Sequence, residues 1–331
     1  MDPLHFSHRV RLQACRVAVL GMALSSALAG ASCSDRPPPV RASDASRAPR
    51  EPVVETPKQR AATTPYRAKL AHGAELYLPT WFSAHRGGYD LMVHFHGLGK
   101  LQEGNLDRSQ LNVAVVSINM GVGTDHYANA FRDPQSFEKL VVDAQDEIAK
   151  SGRAPGAKVK RIALSAWSAG FVSVAKIMGE PSNIEKIDAV LLADGFFTSF
   201  TNLKKRVINT ASLERFVTLV DSASKGDKLF AITHSAIPTQ DYPSVEETVT
   251  KLLELTSSTK TPSTNVGPRN MHETYVVDRG AFHVKGYEGL TAGDHIKQIN
   301  AMGETLYPYL KTRWDQPEPS AATAAAPAAS H

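Results

Sequence analysis

Apolar residues recur along this chain in two rhythms that take turns from about residue 66 onward. A-E-L-Y-L-P (from Ala74) reads as an early strand, and Y-D-L-M-V-H-F-H-G (from Tyr89) as a strand that ends at glycine. N-V-A-V-V-S-I-N (from Asn112) is a continuous β-branched run, the pattern of a strand buried on both faces. A helix follows, with Asp133 as N-cap, Pro134 at the first helical position, and Phe137, Leu140, Val141, Ala144 and Ile148 on one face. R-I-A-L-S-A-W (from Arg161), A-V-L-L-A-D (from Ala189) and K-L-F-A-I-T-H-S (from Lys228) are further strands. Ser244 and Glu247 form a capping box for the helix E-T-V-T-K-L-L-E-L. The strand-rich Y-V-V-D-R-G-A-F-H-V-K-G-Y precedes a last helix, with Ile296, Ile299, Leu306 and Leu310 expected on one face. Alternation of this kind predicts an α/β fold, a mostly parallel central sheet with helices on both faces. Sites in such sheets form outside the carboxyl ends of the strands.

The ends of the chain break the rhythm. Arg9, Arg11 and Arg16 precede an apolar run over residues 17–29, shorter than the ~20 residues a bilayer span needs. Small residues follow, so residues 1–33 read as an export signal peptide. A buried or membrane-anchoring N-terminal helix is the alternative. Cys15 lies inside that segment, and Cys33 follows G-A-S just after it. Cys33 resembles the lipid-modified cysteine of a bacterial lipoprotein, although Gly30 stands where that class prefers leucine. Attachment to a membrane through lipidated Cys33 and free secretion both stay open, so the expected location is periplasmic, outer-membrane or extracellular. Residues 34–65 are rich in Pro, Arg, Ser and Ala and read as a disordered linker; the low-complexity residues 315–331 read as a disordered tail. One catalytic-size α/β domain is left, residues 66–314. It holds no cysteine pair, so a hydrophobic core must stabilise it. The net charge of +4 comes without a basic stripe interleaved with aromatics, which argues against nucleic acid as a partner.

Three stretches carry candidate chemistry. In S-A-W-S-A-G-F, residues 165–171, Ser168 has Ala166 two places before it and Gly170 two places after. A strand precedes it and a helix follows. A serine on such a strained strand-to-helix turn is an exposed nucleophile, and a helix N-terminus behind it favours a developing oxyanion. A small-residue helix start packing on the sheet is the plainer alternative. In H-F-H-G-L-G-K, residues 94–100, glycines at a strand end let backbone N–H groups approach a substrate oxygen. Here His96, Gly97 and Gly99 form the loop, and the Leu98 and Ala169 N–H groups are the candidate donors. His94 and His96, two apart on a strand, are also a spacing used by metal ligands, with His126, His234, His272 and His283 available downstream. In the third stretch, F-H-V-K-G-Y-E-G-L-T-A-G-D-H-I, His295 falls after the last strand and His283 inside it. Two acids compete: Asp194, at a strand end before Gly195, and Asp241, in a longer loop. Asp194 is preferred because strand ends place side chains more closely than long loops. Thr233, His234 and Ser235 reach the same edge.

In order and placement these motifs resemble the α/β-hydrolase superfamily over residues 66–314. Ala166 departs from the usual glycine of its G-x-S-x-G elbow. The resemblance implies a serine hydrolase that needs no cofactor and cleaves a small-molecule or polymer ester through an acyl-enzyme. It implies Ser168 as nucleophile, His295 as general base and acid, Asp194 as its orienting acid, and Gly97, Leu98, Ala169 and His96 around the oxyanion. A metal-dependent hydrolase using His94 and His96, or a non-catalytic binder on the same fold, are the rival readings. The stretch from Phe196 is the candidate lid, and M-G-V-G-T-D-H-Y (from Met120) a candidate pocket wall.

Overall fold

The computed structural model describes residues 62–316 apart from residue 86. The expectations for residues 1–33 with Cys33, for most of the linker and for the tail beyond residue 316 lie outside the described residues. Thirteen strands are described: β1 (Tyr66–Lys69), β2 (Glu75–Leu78), β3 (Gly88–Phe95), β4 (Ala114–Ile118), β5 (Lys158–Trp167), β6 (Ile187–Ala193), β7 (Phe200–Asn202), β8 (Val207–Ile208), β9 (Leu229–His234), β10 (Thr261–Pro262), β11 (Val266–Gly267), β12 (Met271–Arg279) and β13 (Phe282–Tyr287). The helices are α1 (Gly99–Ser109), α2 (Asp125–Ala130), α3 (Gln135–Lys150), α4 (Phe171–Ile177), α5 (Pro181–Lys186), α6 (Glu214–Ser224), α7 (Val245–Leu255), α8 (Ala292–Asn300), α9 (Met302–Thr305) and α10 (Tyr307–Asp315). No helix among the described residues is long and apolar enough to cross a membrane.

The main sheet runs β1-β2-β4-β3-β5-β6-β9-β13-β12-β10, with β11 on β12 and β7–β8 as a separate hairpin. From β4 through β13 every pairing is parallel; the edge pairings are antiparallel. Parallel neighbours need crossovers, and the helices that supply them cover both faces. Side chains of β3 alternate accordingly. Leu91, Val93 and Phe95 pack in the layer with α3, α4, α6 and α7, whereas Met92 packs with Leu106, Ile299, Met302 and Tyr307 from α1, α8, α9 and α10. This is the α/β architecture read from the alternation.

The local signal acts as expected at the start of α7: Ser244 accepts the Glu247 N–H while Glu247 accepts the Ser244 N–H, which completes the capping box. At α3 the start shifts by one residue: Pro134 is the N-cap rather than the first helical residue, and Asp133, one place before it, accepts the Gln135 N–H through Oδ1 at 3.0 Å. The last helix departs from expectation. It is three pieces, α8, α9 and α10, and Ile296 is 48% exposed rather than on the buried face. Asn105 of α1 explains the first break. Its side-chain amide donates to the Ile299 carbonyl at 2.8 Å, and its oxygen accepts the Gly303 N–H at 3.0 Å. A continuous helix would join those two groups to each other; Asn105 satisfies both from another element. Pro308, with no N–H to donate, sits in the first turn of α10, just past the second break. Helix α1, opening at Gly99, had no counterpart among the elements read from the sequence.

Candidate active site

The elbow is built where β5 meets α4. Strand β5 ends at Trp167, and a single 3-10 turn (Ser168–Gly170) leads into the helix. Ser168 has a φ of 51°, in the left-handed region that costs a side-chain-bearing residue ~1–3 kcal/mol. Gly170 is required by space. A Cβ there would lie 2.2 Å from the Phe95 carbonyl oxygen at the end of β3. Ala166, in place of the usual first glycine, is fully buried in β5 between β3 and β6.

Two other non-glycine residues at the carboxyl edge share this backbone region: His96 after β3, with φ of 73°, and Asp194 after β6, with φ of 45°. Left-handed residues concentrate where surrounding structure imposes them, and functional edges are such places. The loop after β6 presses on the elbow. A Cβ on Gly195 would lie 2.7 Å from the Ser168 nitrogen and 2.9 Å from its carbonyl oxygen.

Asp194 is 4% exposed, and each of its oxygens is engaged. Oδ1 accepts the Ser235 N–H at 3.0 Å; Oδ2 accepts the Ser235 hydroxyl at 2.7 Å and lies 2.7 Å from His295 Nδ1. Burial by itself pushes this carboxyl up. The hydrogen bond and charge of His295, with the two Ser235 donors, outweigh burial and hold it below the usual range. A carboxylate at Nδ1 places that ring's proton on Nδ1 and leaves Nε2 basic. His295 sits inside α8, whose N-cap is Thr291. Asp294 is the reciprocal member of the Thr291 capping box. Asp241 is exposed, and no hydrogen bond joins it to His295 among the described residues. Neither does one join Ser168 Oγ to the His295 ring among those residues.

The loop after β3 lies opposite. Gly97 follows His96 with φ of 96°. Neither the Leu98 N–H nor the Ala169 N–H is bonded to another group among the described residues. His94 holds this loop from below. It is fully buried, its Nε2 faces the His96 carbonyl at 2.8 Å, and its Nδ1 lies 3.0 Å from Ser165 Oγ. The His96 carbonyl only accepts, so that contact calls for a proton on Nε2 and makes the Ser165 hydroxyl the donor to Nδ1; the Gln102 side-chain amide packs on the same Nε2 at 2.9 Å. The pairing register sets His94 directly beside Ser165. His96 turns the other way. Its Nδ1 lies 2.8 Å from the Tyr127 hydroxyl and its ring stacks on Trp167.

The metal reading of His94 and His96 fails on this geometry. The strand ends at Phe95, so the two rings do not share a face, and both His94 nitrogens already have protein partners. Among the described residues no group of three or more His, Cys, Asp or Glu side chains could hold a metal ion. Of the other histidines, His234 is buried against Tyr275 and His283 pairs with Asp278.

The candidate lid divides. Phe196 is core, packed on Phe171, Phe216 and Phe230. Only the β7–β8 hairpin beyond it stands off the main sheet, and its Arg206 ties it to Glu247 at the start of α7. The Met120 stretch reaches the site through Tyr127, whose buried hydroxyl accepts the Met120 N–H at 2.9 Å. Two recesses lie away from Ser168. One of about 320 Å³ is lined by Ile208, Glu246 and Lys251; the other, of about 280 Å³, by Arg67, Glu103 and Ser117. Trp167 had no role in the sequence reading, and Tyr127 entered it only as the last residue of the Met120 stretch. Trp167 was visible there as the bulky residue inside A-W-S, but nothing local says where an indole points.

No protein-family model and no curated protein matches the sequence. Solved structures with a similar arrangement include a feruloyl esterase module from Clostridium thermocellum (12% identity, TM-score 0.43, 74% of this chain and 86% of that one). An acetyl xylan esterase from Aspergillus awamori (13%, 0.40, 72% and 99%) and a siderophore hydrolase from Aspergillus nidulans (11%, 0.43, 81% and 99%) are others. These are similarities of overall arrangement, at identities too low to carry residue roles. The sheet order, the parallel core and the strand-to-helix elbow together define an α/β-hydrolase fold.

Proposed function

We propose that the protein is an exported serine hydrolase that cleaves an ester-type bond through Ser168, His295 and Asp194. The observation that carries this reading is the 2.7 Å pairing of His295 with buried Asp194, one strand over from a serine held in left-handed conformation. Ser168 Oγ attacks the ester carbonyl carbon as His295 Nε2 takes its proton. Asp194 holds the ring and stabilises the imidazolium. The N–H groups of Leu98 and Ala169 bind the oxyanion, each such donor being worth ~3 kcal/mol. His295 returns the proton to the leaving alcohol, and an acyl-enzyme remains. Water then attacks the acyl carbon as the same ring takes its proton; the bond to Ser168 Oγ breaks, the ring returns that proton to Oγ, and the acid leaves. Hydrogen bonds of this kind often close only with substrate in place, which accommodates the open Ser168–His295 contact. That same open contact favours the second reading, a non-catalytic binder on this fold.

A fluorophosphonate probe read by intact mass separates the two. One adduct on the purified protein and none on Ser168→Ala is the expected result. No adduct on a folded parent favours the binder, and an adduct on both proteins means another serine is the nucleophile. Export belongs to the same reading through residues 1–33. Incorporation of a fatty-acid analogue in the parent but not in Cys33→Ser would mark the lipid-anchored form; release of an unlabelled shortened chain would mark the secreted one.

A further inference from the structure

Trp167 immediately precedes Ser168, and its indole contacts the rings of two histidines. His96 stacks on it, with ring centroids 4.9 Å apart and planes 12° apart. His295 lies at 4.6 Å with its plane tilted by 31°. The indole N–H donates to the His295 backbone carbonyl at 3.0 Å. The stack is backed from behind, because the buried Tyr127 hydroxyl holds His96.

These contacts supply what Asp194 lacks. A single hydrogen bond at Nδ1 fixes one point of the His295 ring and not its plane. Placement of Nε2 towards Ser168 needs a second constraint. We propose that Trp167 is a positioning residue of this site: its face sets the plane of the His295 ring, and its N–H fixes the first turn of α8 against the elbow. The inference rests on the reading of Ser168 and His295 as nucleophile and base. The nucleophile's own strand then carries the part that aims the base. An indole face beside the ring also favours the imidazolium that forms when Ser168 gives up its proton.

The test is steady-state hydrolysis of a soluble p-nitrophenyl acyl ester by the parent, Trp167→Phe, Trp167→Leu and Ser168→Ala, with thermal melts of each. Misplacing a reacting group by about 1 Å can cost ~10²-fold. The leucine variant should therefore lose kcat by one to two orders of magnitude, roughly, with KM little changed. The phenylalanine variant, which keeps a ring face, should recover much of that loss. Should the leucine variant fail to fold, Trp167→Met carries the same expectation. A leucine variant with parental kcat, equal losses in both variants, or a change confined to KM would each overturn the proposal. Turnover by Ser168→Ala would instead sink the serine reading itself, whatever Trp167 does.

Discussion

Lowering the pH from 7 to 5 should destabilise the fold through His94. This ring has no exposed surface, and burial pushes its pKa down to about 3; the nearby charge of His96 adds to the fall, and the hydrogen bond to the His96 carbonyl opposes it. In an unfolded chain the same ring titrates near ~6.5. The folded value is the lower one, so between the two values the unfolded chain holds more protons, and stability falls with falling pH. The contribution is complete above about 6.5 and is lost progressively down to about 3. At pH 5 one such group has cost about 2 kcal/mol relative to pH 7. Burial lowers His96, to about 4, and His234 as well, and both add loss of the same sign. Asp194 is also held low, but its unfolded value of ~3.9 puts its contribution below this pH window. Urea unfolding at pH 7 and pH 5 isolates His94 when the parent is compared with His94→Gln. The amide keeps a donor for the His96 carbonyl and cannot titrate. The variant should lose about 2 kcal/mol less than the parent across that interval, whatever its absolute stability. Equal losses in parent and variant would refute the reasoning.

Three further outcomes follow from single contacts. Asp194→Asn should lower kcat by ~10⁴-fold, because an amide at this position favours the wrong His295 tautomer; activity within about tenfold of the parent would count against Asp194 as the orienting acid. Gly170→Ala should destabilise the protein by at least ~1–3 kcal/mol in urea unfolding, because its Cβ would have to fit 2.2 Å from the Phe95 carbonyl oxygen. Arg161 holds Asp90 with two hydrogen bonds of 2.8 and 2.7 Å, and Asp90 is 2% exposed. Arg161→Met should therefore cost ~3–5 kcal/mol by leaving a buried carboxylate unpaired, and the double variant with Asp90→Leu should recover much of it.

What the sequence determined by itself was the order of elements and the local chemistry at their ends. The run Ala114–Ile118 declares a buried strand, and Ser244 with Glu247 declares a helix start, because both signals act within a few residues. The glycine two places after Ser168 was legible for the same reason. The break in the last helix was not. Ile299 and Gly303 carry no local sign that Asn105, some two hundred residues earlier, will take their backbone groups. Tertiary structure alone decided that His295 Nδ1 meets Asp194 rather than Asp241, since the partners lie 101 residues apart and the adjacency of β6 and β9 brings Ser235 beside the acid. It also decided that His94 and His96 part company. Alternation puts residues i and i+2 on one face only while the chain stays extended. At His96 the backbone turns left-handed, and one ring goes into the core beneath the loop while the other stacks on Trp167 above it.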